Sequence, residues 1–282
     1  MPGVRPGWVN GRMGTPKKDR RAWPVTATLV GLAIAAVAVT PYLTTSLADL
    51  AADDAGVARG YVDAPALVRV AFYAHVVAGG LALVLSPVQL WPRLRRRRPH
   101  VHRVMGRVVA GAIAVAGTAS LVIAPFNQAG LVGTLGFGGL GALWLWTTWR
   151  GVQAAMVHDV AAHRRWMTRA FALTFAAVTL RLWTGVLIAA QALVEGESFD
   201  PAVAFDRAYV IVPFLCWVPN LIVAELLVRR QTSMRAGGGG GGAGVGAGAA
   251  TGATAGAGTG AGPGAGAGAG AGTGPALGTI VP

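Results

Sequence analysis

Histidines and arginines set in or beside apolar runs are the residues of this chain best suited to chemistry. Of five histidines, His75, His102 and His163 fall within or at the edge of long apolar runs, while His100 and His158 read as solvated loop residues. A bis-histidine haem in a helical bundle needs two neutral imidazoles at one depth on facing helices. It also needs small residues beside them, so that the flat macrocycle can approach. Gly79 follows His75 by four residues and Gly106 follows His102 by four, one turn away on the same helix face. His102 and His163 begin runs that head in the same direction, which makes them the pair able to ligate one iron, with haem b the expected cofactor. Arg103 and Arg107 follow His102, Arg169 follows His163, and these arginines are expected to hold the propionates by charge-assisted hydrogen bonds.

His75 has no histidine partner at its level. Counted at 1.5 Å per residue from the arginine-bearing ends of their runs, His75 and Arg181 both lie about 22 Å up. An arginine keeps its proton, and one this deep must face the bundle interior or a wet cavity. No carboxylate shares its level, so backbone carbonyls, His75, water or an anionic ligand remain as acceptors. This supports an alternative function, a membrane carrier or binder of a small anionic ligand, with His75, Arg181, Asn220 and Glu225 as its binding residues. Asn220 lies between the two levels. Arg169 and Glu225 sit about one turn inside the arginine-bearing edge and also read as a structural ion pair. A third function is a structural or assembly partner of another membrane protein, with the polar groups acting as interhelical glue.

Enzyme chemistry has little support. The chain shows no paired carboxylates at one depth, no Ser-His-Asp arrangement, and neither the H-E-x-x-H nor the G-x-S-x-G signature. A non-enzyme is favoured. Cys216 is the only cysteine, which excludes an intrachain disulfide and a thiolate metal cluster. It reads as a small buried apolar residue.

The elements that position these groups follow from composition. The chain has 282 residues, 54% hydrophobic and 12% charged, against about a quarter charged in a soluble domain. Long apolar runs with so few charges make a polytopic membrane protein. Six runs are long enough to cross a core of about 30 Å as helices. They are roughly Val25–Leu47, Leu67–Leu90, Val104–Ala124, Leu131–Trp149, Trp166–Val194 and Ala208–Val228. The expected fold is an all-α polytopic membrane helix bundle of six transmembrane helices over residues 25–230. The first run is too long for a signal-peptide core of about 7–15 residues.

The net charge of +13 comes from basic residues in short segments between the runs. They read as topology signals and contacts to anionic lipid, not as a nucleic-acid surface. Lys17, Lys18, Arg20 and Arg21 precede the first run. Arg93, Arg95, Arg96, Arg97 and Arg98 follow the second, Arg150, Arg164 and Arg165 separate the fourth from the fifth, and Arg229 and Arg230 close the sixth. Asp49, Asp53, Asp54, Asp63, Glu195, Glu197, Asp200 and Asp206 fill the other side, where only Arg59, Arg69 and Arg207 oppose the trend. The positive-inside rule then puts both termini in the cytoplasm and the protein in the inner membrane. Trp23, Trp91, Trp149 and Trp166 fall at the expected boundaries, where indole rings favour the interface. Residues 1–24 read as a disordered basic tail and 231–282, nearly all Gly and Ala, as a flexible one.

Several motifs occur in a familiar order. His75 with Gly79, then Ser86-Pro87-Val88-Gln89, then HRVMGR at 102–107 resemble a bacterial family of predicted membrane proteins, domain of unknown function 2306. HRRWMTR at 163–169, TLRLW at 179–183 and WVPNLIVAE at 217–225 extend the resemblance over roughly 67–230. It implies a multi-span inner-membrane protein and no particular activity. The His-Arg-x-x-Gly-Arg piece is also similar to a segment of haem A synthases in which a histidine serves haem. That likeness touches only His102, Arg103, Gly106 and Arg107.

Overall fold

A computed structural model describes residues 22–52 and 57–237. The expected tails, apart from 22–24 and 231–237, lie outside the described residues, as do Asp53 and Asp54. The described residues form helices and turns, with no strand among them. The helices are α1 (Ala22–Thr44), α2 (Leu47–Ala52), α3 (Ala66–Gln89), α4 (Pro92–Arg97), α5 (Pro99–Ile123), α6 (Gly130–Met156), α7 (Val160–Thr174), α8 (Ala176–Glu195), α9 (Pro201–Leu215) and α10 (Val218–Gly237). Six stretches are long and apolar enough to cross a membrane: α1, α3, α5, α6, α7 with α8, and α9 with α10. They coincide with the six runs read from the sequence.

The boundaries differ where caps decide them. The third span begins at Pro99 and not at Val104, because a proline at the first helical position has no N–H to leave unsatisfied. Pro92 starts α4 in the same way, so most of the arginine-rich stretch is helical. The fifth span begins at Val160, before the expected Trp166, because the Asp159 carboxylate accepts from the Ala162 N–H at 2.8 Å. Asp200 does the same for α9, accepting from Ala202 and Val203 at 2.8 and 3.3 Å.

The fifth and sixth spans are each broken, which the sequence reading did not anticipate. Pro213 lacks an N–H and crowds the preceding turn, and the sixth span gives way at Cys216–Trp217. The Pro213 carbonyl is taken up by the Trp217 indole N–H, which donates to it at 2.8 Å and to Gly136 on α6 at 3.1 Å. The fifth span breaks at Phe175, where neither Gly nor Pro stands. The two breaks face each other and are stitched together. The Asn220 side-chain amide donates to the Ala172 carbonyl at 3.3 Å, to the Thr179 hydroxyl at 3.0 Å and to the Cys216 carbonyl at 3.1 Å. The Thr179 hydroxyl donates to that same Cys216 carbonyl at 2.5 Å. Backbone groups freed inside a membrane must find such partners.

The surface of the spans is apolar: Leu29, Leu131, Leu135 and Leu193 are each more than 60% exposed. That is what lipid contact requires, and the membrane-spanning helices place the chain in a bilayer. The interior is built of small residues, with Ala82, Ala112, Ala116 and Ala176 packed around Leu173, Val212 and Cys216. Small interfaces let helices approach closely where there is no hydrophobic drive to bring them together. Gly136 shows the limit, because a Cβ there would lie 2.5 Å from the Pro213 Cβ and 2.9 Å from its backbone.

Candidate functional site

A cavity of about 240 Å³ lies within the bundle, walled by α1, α3, α5, α6, α7, α8 and α9. Both helix breaks open onto it, through Thr174, Ala176 and Ala177 on one side and Cys216 on the other. Along α1, Ala35, Ala38, Val39 and Tyr42 form its outer wall at helical spacing. Ala35 packs with Leu83 of α3 and Val178 of α8 in one buried cluster. The cavity begins at that level and extends toward Tyr42 and Arg181.

His75 and Arg181 both line the cavity. The His75 Nδ1 lies 2.9 Å from the Ala116 carbonyl on α5. Carbonyls only accept, so Nδ1 carries the hydrogen and Nε2 is an acceptor. Arg181 donates through Nη1 to the Ala177 carbonyl, one turn back on its own helix, at 3.0 Å. That is its one hydrogen bond among the described residues. The ion pairs there are Arg59–Asp206, Arg169–Glu225 and Arg207–Glu195, so no described carboxylate neutralises Arg181. The phenols of Tyr42 and Tyr209 lie within electrostatic reach of it. Neither hydroxyl makes a hydrogen bond to a described residue.

His102 and His163 occupy the other end of the bundle, where the arginines are. They lie within electrostatic reach of each other, and His102 also of Arg95. His163 Nδ1 is 2.8 Å from the Gly151 carbonyl on α6 and so carries its hydrogen. The Gln89 side chain lies against His102. With its nitrogen turned to the ring it donates to Nδ1 at 2.5 Å, and its oxygen accepts from the Gly106 N–H at 2.9 Å. Arg95 has its pKa pushed below the ordinary arginine value by burial and by the charges of Arg164 and Arg96.

Arg169 grips Glu225 with two hydrogen bonds, Nε to Oε1 at 2.5 Å and Nη2 to Oε2 at 2.9 Å. Its guanidinium also lies 4.7 Å from the centre of the Trp166 ring. Arg150 is held over Trp146 and Trp166. Arg103 and Arg107 are exposed. The structure therefore separates the residues read from the sequence into two groups. His75 and Arg181 meet in the cavity; His102, His163, Arg169 and Glu225 belong to the arginine end. Asn220 binds across the helix breaks and does not line the cavity. Gly106 has open space where a Cβ would be, and a Cβ at Gly79 would make an ordinary contact of 3.9 Å with Ala116.

A family model of predicted membrane proteins, DUF2306, matches residues 72–228. The chain belongs to that family. The matched region holds His75, Arg181, Tyr209 and both helix breaks, and stops short of α1 with Tyr42. No curated protein and no solved structure matches the chain.

Three cavity residues escaped the sequence reading: Tyr42, Tyr61 and Tyr209. For Tyr42 and Tyr209 the signal was present, because a tyrosine inside an apolar run carries a hydroxyl that needs a partner as much as a histidine does. The Tyr61 hydroxyl donates to the Ile123 carbonyl at 3.5 Å.

Proposed function

We propose that this membrane protein binds a small anionic ligand in the cavity between Arg181 and His75, as a carrier or receptor and not as an enzyme. The observation that carries this reading is a permanently charged guanidinium in an apolar cavity with one backbone carbonyl as its partner. A buried cation without a counter-ion is costly in a membrane, and an anion in the cavity removes that cost. The breaks support the same ligand. Irregular backbone at membrane depth is tolerated where it lines a cavity, and the N-terminal end of a half-helix favours negative charge. The α8 N-terminus, through Ala176 and Ala177, lines this one.

The test is equilibrium binding of benzoate, hexanoate, sulfate and phosphate to the full chain in lipid nanodiscs, with Arg181→Gln alongside. At least one anion should bind, and Arg181→Gln should weaken it at least tenfold, as expected for loss of a charged hydrogen-bond partner. Equal binding by a folded variant, or no binding of any of the four, would end the proposal.

A second reading keeps His102 and His163 as axial ligands of haem b, with Arg103, Arg107 and Arg169 near the propionates. It is favoured by the electrostatic proximity of the two imidazoles and by the His163 bond to Gly151, the kind of outer partner that orients a ligating histidine. For His102 to ligate through Nε2, Gln89 must turn its oxygen to Nδ1. The absorbance spectrum decides: a Soret band lost in His102→Ala and His163→Ala supports it, and a colourless preparation from haem-sufficient cells excludes it.

The positive-inside argument assigns the arginine end to the cytoplasmic face of the inner membrane, in contact with anionic lipid. Reporter fusions after Arg98 and after Gly196 check it. A periplasmic signal at Arg98 would invert the layout.

A further inference from the structure

The cavity specifies more than negative charge. Its free groups divide into donors and an acceptor. Arg181, Tyr42 and Tyr209 supply N–H and O–H groups that no described residue accepts, and they lie within electrostatic reach of one another. His75, with Nδ1 donating to Ala116, presents Nε2, which no described residue contacts by hydrogen bond. The other polar lining is already engaged. The Ser120 hydroxyl donates to Gly117, and the Thr174 hydroxyl accepts from Trp144 while donating to Ala170. A matching ligand has an anionic head that accepts several bonds and a separate hydroxyl that donates one.

The wall indicates what joins these groups. Tyr42, Tyr61, Phe72, Phe137, Trp144 and Tyr209 all line the cavity. Their rings meet at angles, Tyr42 on Phe72 at 5.1 Å and 77°, Phe137 on Tyr209 at 5.6 Å and 46°. Such edge and tilted contacts are how aromatic groups pack. The volume of about 240 Å³ exceeds the roughly 150 Å³ cavity that takes a benzene ring. It falls below the roughly 300–1,000 Å³ of pockets for drug-sized molecules. One ring with two small substituents is the size that fits.

Resting on the anion-binding reading above, we infer that the ligand is a hydroxylated aromatic monocarboxylate, its carboxylate held by Arg181, Tyr42 and Tyr209 and its hydroxyl donating to His75 Nε2. The hydroxyl separates this class from simple lipophilic acids. A site with an unmatched buried acceptor discriminates against an analogue that lacks the donor.

The experiment compares benzoate, 2-, 3- and 4-hydroxybenzoate and hexanoate as probes on the full chain in nanodiscs. At least one hydroxybenzoate should bind about tenfold more tightly than benzoate, the contribution of one good hydrogen bond. His75→Phe should erase that margin, so that the best hydroxybenzoate and benzoate bind the variant equally. His75→Gln, whose side-chain oxygen still accepts, should restore part of it and guards against a variant that fails to fold. Thermal unfolding of each variant reports its fold. Hexanoate binding as tightly as the best hydroxybenzoate, or a hydroxyl preference that survives in folded His75→Phe, would overturn the ligand class. In that case Arg181-dependent binding of any acid still upholds the anion site. Absence of Arg181-dependent binding for all five acids removes the ligand class, and if sulfate and phosphate also fail to bind, the anion site falls with it.

Discussion

Two levels of this bundle carry buried or half-buried cations, and they treat them differently. At the arginine end Arg169 is clamped by Glu225 and stacked on Trp166, and Arg150 lies between two indole rings. Those cations are satisfied by the protein itself. At the cavity level Arg181 touches one carbonyl of its own helix, the Tyr42 and Tyr209 hydroxyls make no hydrogen bond to a described residue, and His75 leaves Nε2 open. The difference separates a cation that holds helices together from one that waits for a partner. The sequence points to the same separation, since Glu225 shares the level of Arg169 and no carboxylate shares that of Arg181.

The comparison breaks most sharply under exchange of effects. Arg181→Gln should cost at least tenfold in anion affinity and little in stability, because it removes an uncompensated charge. Arg169→Gln should leave affinity unchanged and cost about 2 kcal/mol of stability. That figure lies between the values for exposed and for fully buried ion pairs, since the side chains of Arg169 and Glu225 are 18% and 37% exposed. Binding isotherms and unfolding midpoints in mixed detergent measure both. If Arg169→Gln loses the ligand and Arg181→Gln unfolds the protein, the two assignments are reversed.

A pH effect belongs to the cavity end. Tyr61 lies in the connection between α2 and α3, and burial together with the neighbouring Tyr42 raises its phenol to about 12. A raised folded-state value means the native state holds this proton more tightly than the unfolded chain. Its contribution is fully present below pH about 10 and is lost as pH rises toward about 12. Two pK units correspond to about 2–3 kcal/mol. Tyr61→Phe should therefore flatten the fall of stability between those pH values, as followed by alkaline unfolding. An unchanged slope would show that Tyr61 does not carry this proton linkage.

The fold was legible because lipid imposes a blunt rule. Twenty or so apolar residues make a span, and all six spans stood out in hydropathy. Their caps were legible too, in Asp159, Pro99 and Asp200, although the expected boundaries passed over them. The site was half legible. Depth counting put His75 and Arg181 on one level, and both line the cavity. The cavity itself was not readable, because it depends on breaks in two helices. Pro213 announces one of them. Phe175 announces nothing: the second break has no local signal and is matched by Asn220 from across the interface, which bonds Ala172 and Thr179 on either side of it. Asn220, taken in the sequence for a ligand group, is instead occupied by three bonds to the broken segments.

Asn220 therefore probes the connection between scaffold and site. Interhelical hydrogen bonds in membranes contribute on the order of 0.6 kcal/mol each. Asn220→Ala should cost about 1–2 kcal/mol, since a pair of such bonds crosses to the fifth span. It should also loosen the break that carries Ala176 and Ala177 and weaken anion binding by a few fold. A variant equal to wild type in both measurements would mean that the breaks are held by packing alone.

The smallest effect expected distinguishes two glycines that look alike in sequence. A Cβ at Gly79 meets only Ala116 at 3.9 Å, whereas one at Gly136 drives into Pro213 at 2.5 Å. Gly79→Ala should leave stability within about 0.5 kcal/mol, or raise it slightly, because alanine costs less backbone entropy in a helix. Its methyl group occupies a small corner of the cavity, so anion affinity should change less than twofold. Gly136→Ala should cost about 1–3 kcal/mol through overpacking against the Pro213 backbone, which has little room to move. Measured side by side in mixed detergent, the two variants ask whether glycine beside His75 is there for space or for close helix contact. A large loss from Gly79→Ala would mean that something approaches that glycine more closely than the protein alone does, and would favour a flat ligand lying against α3.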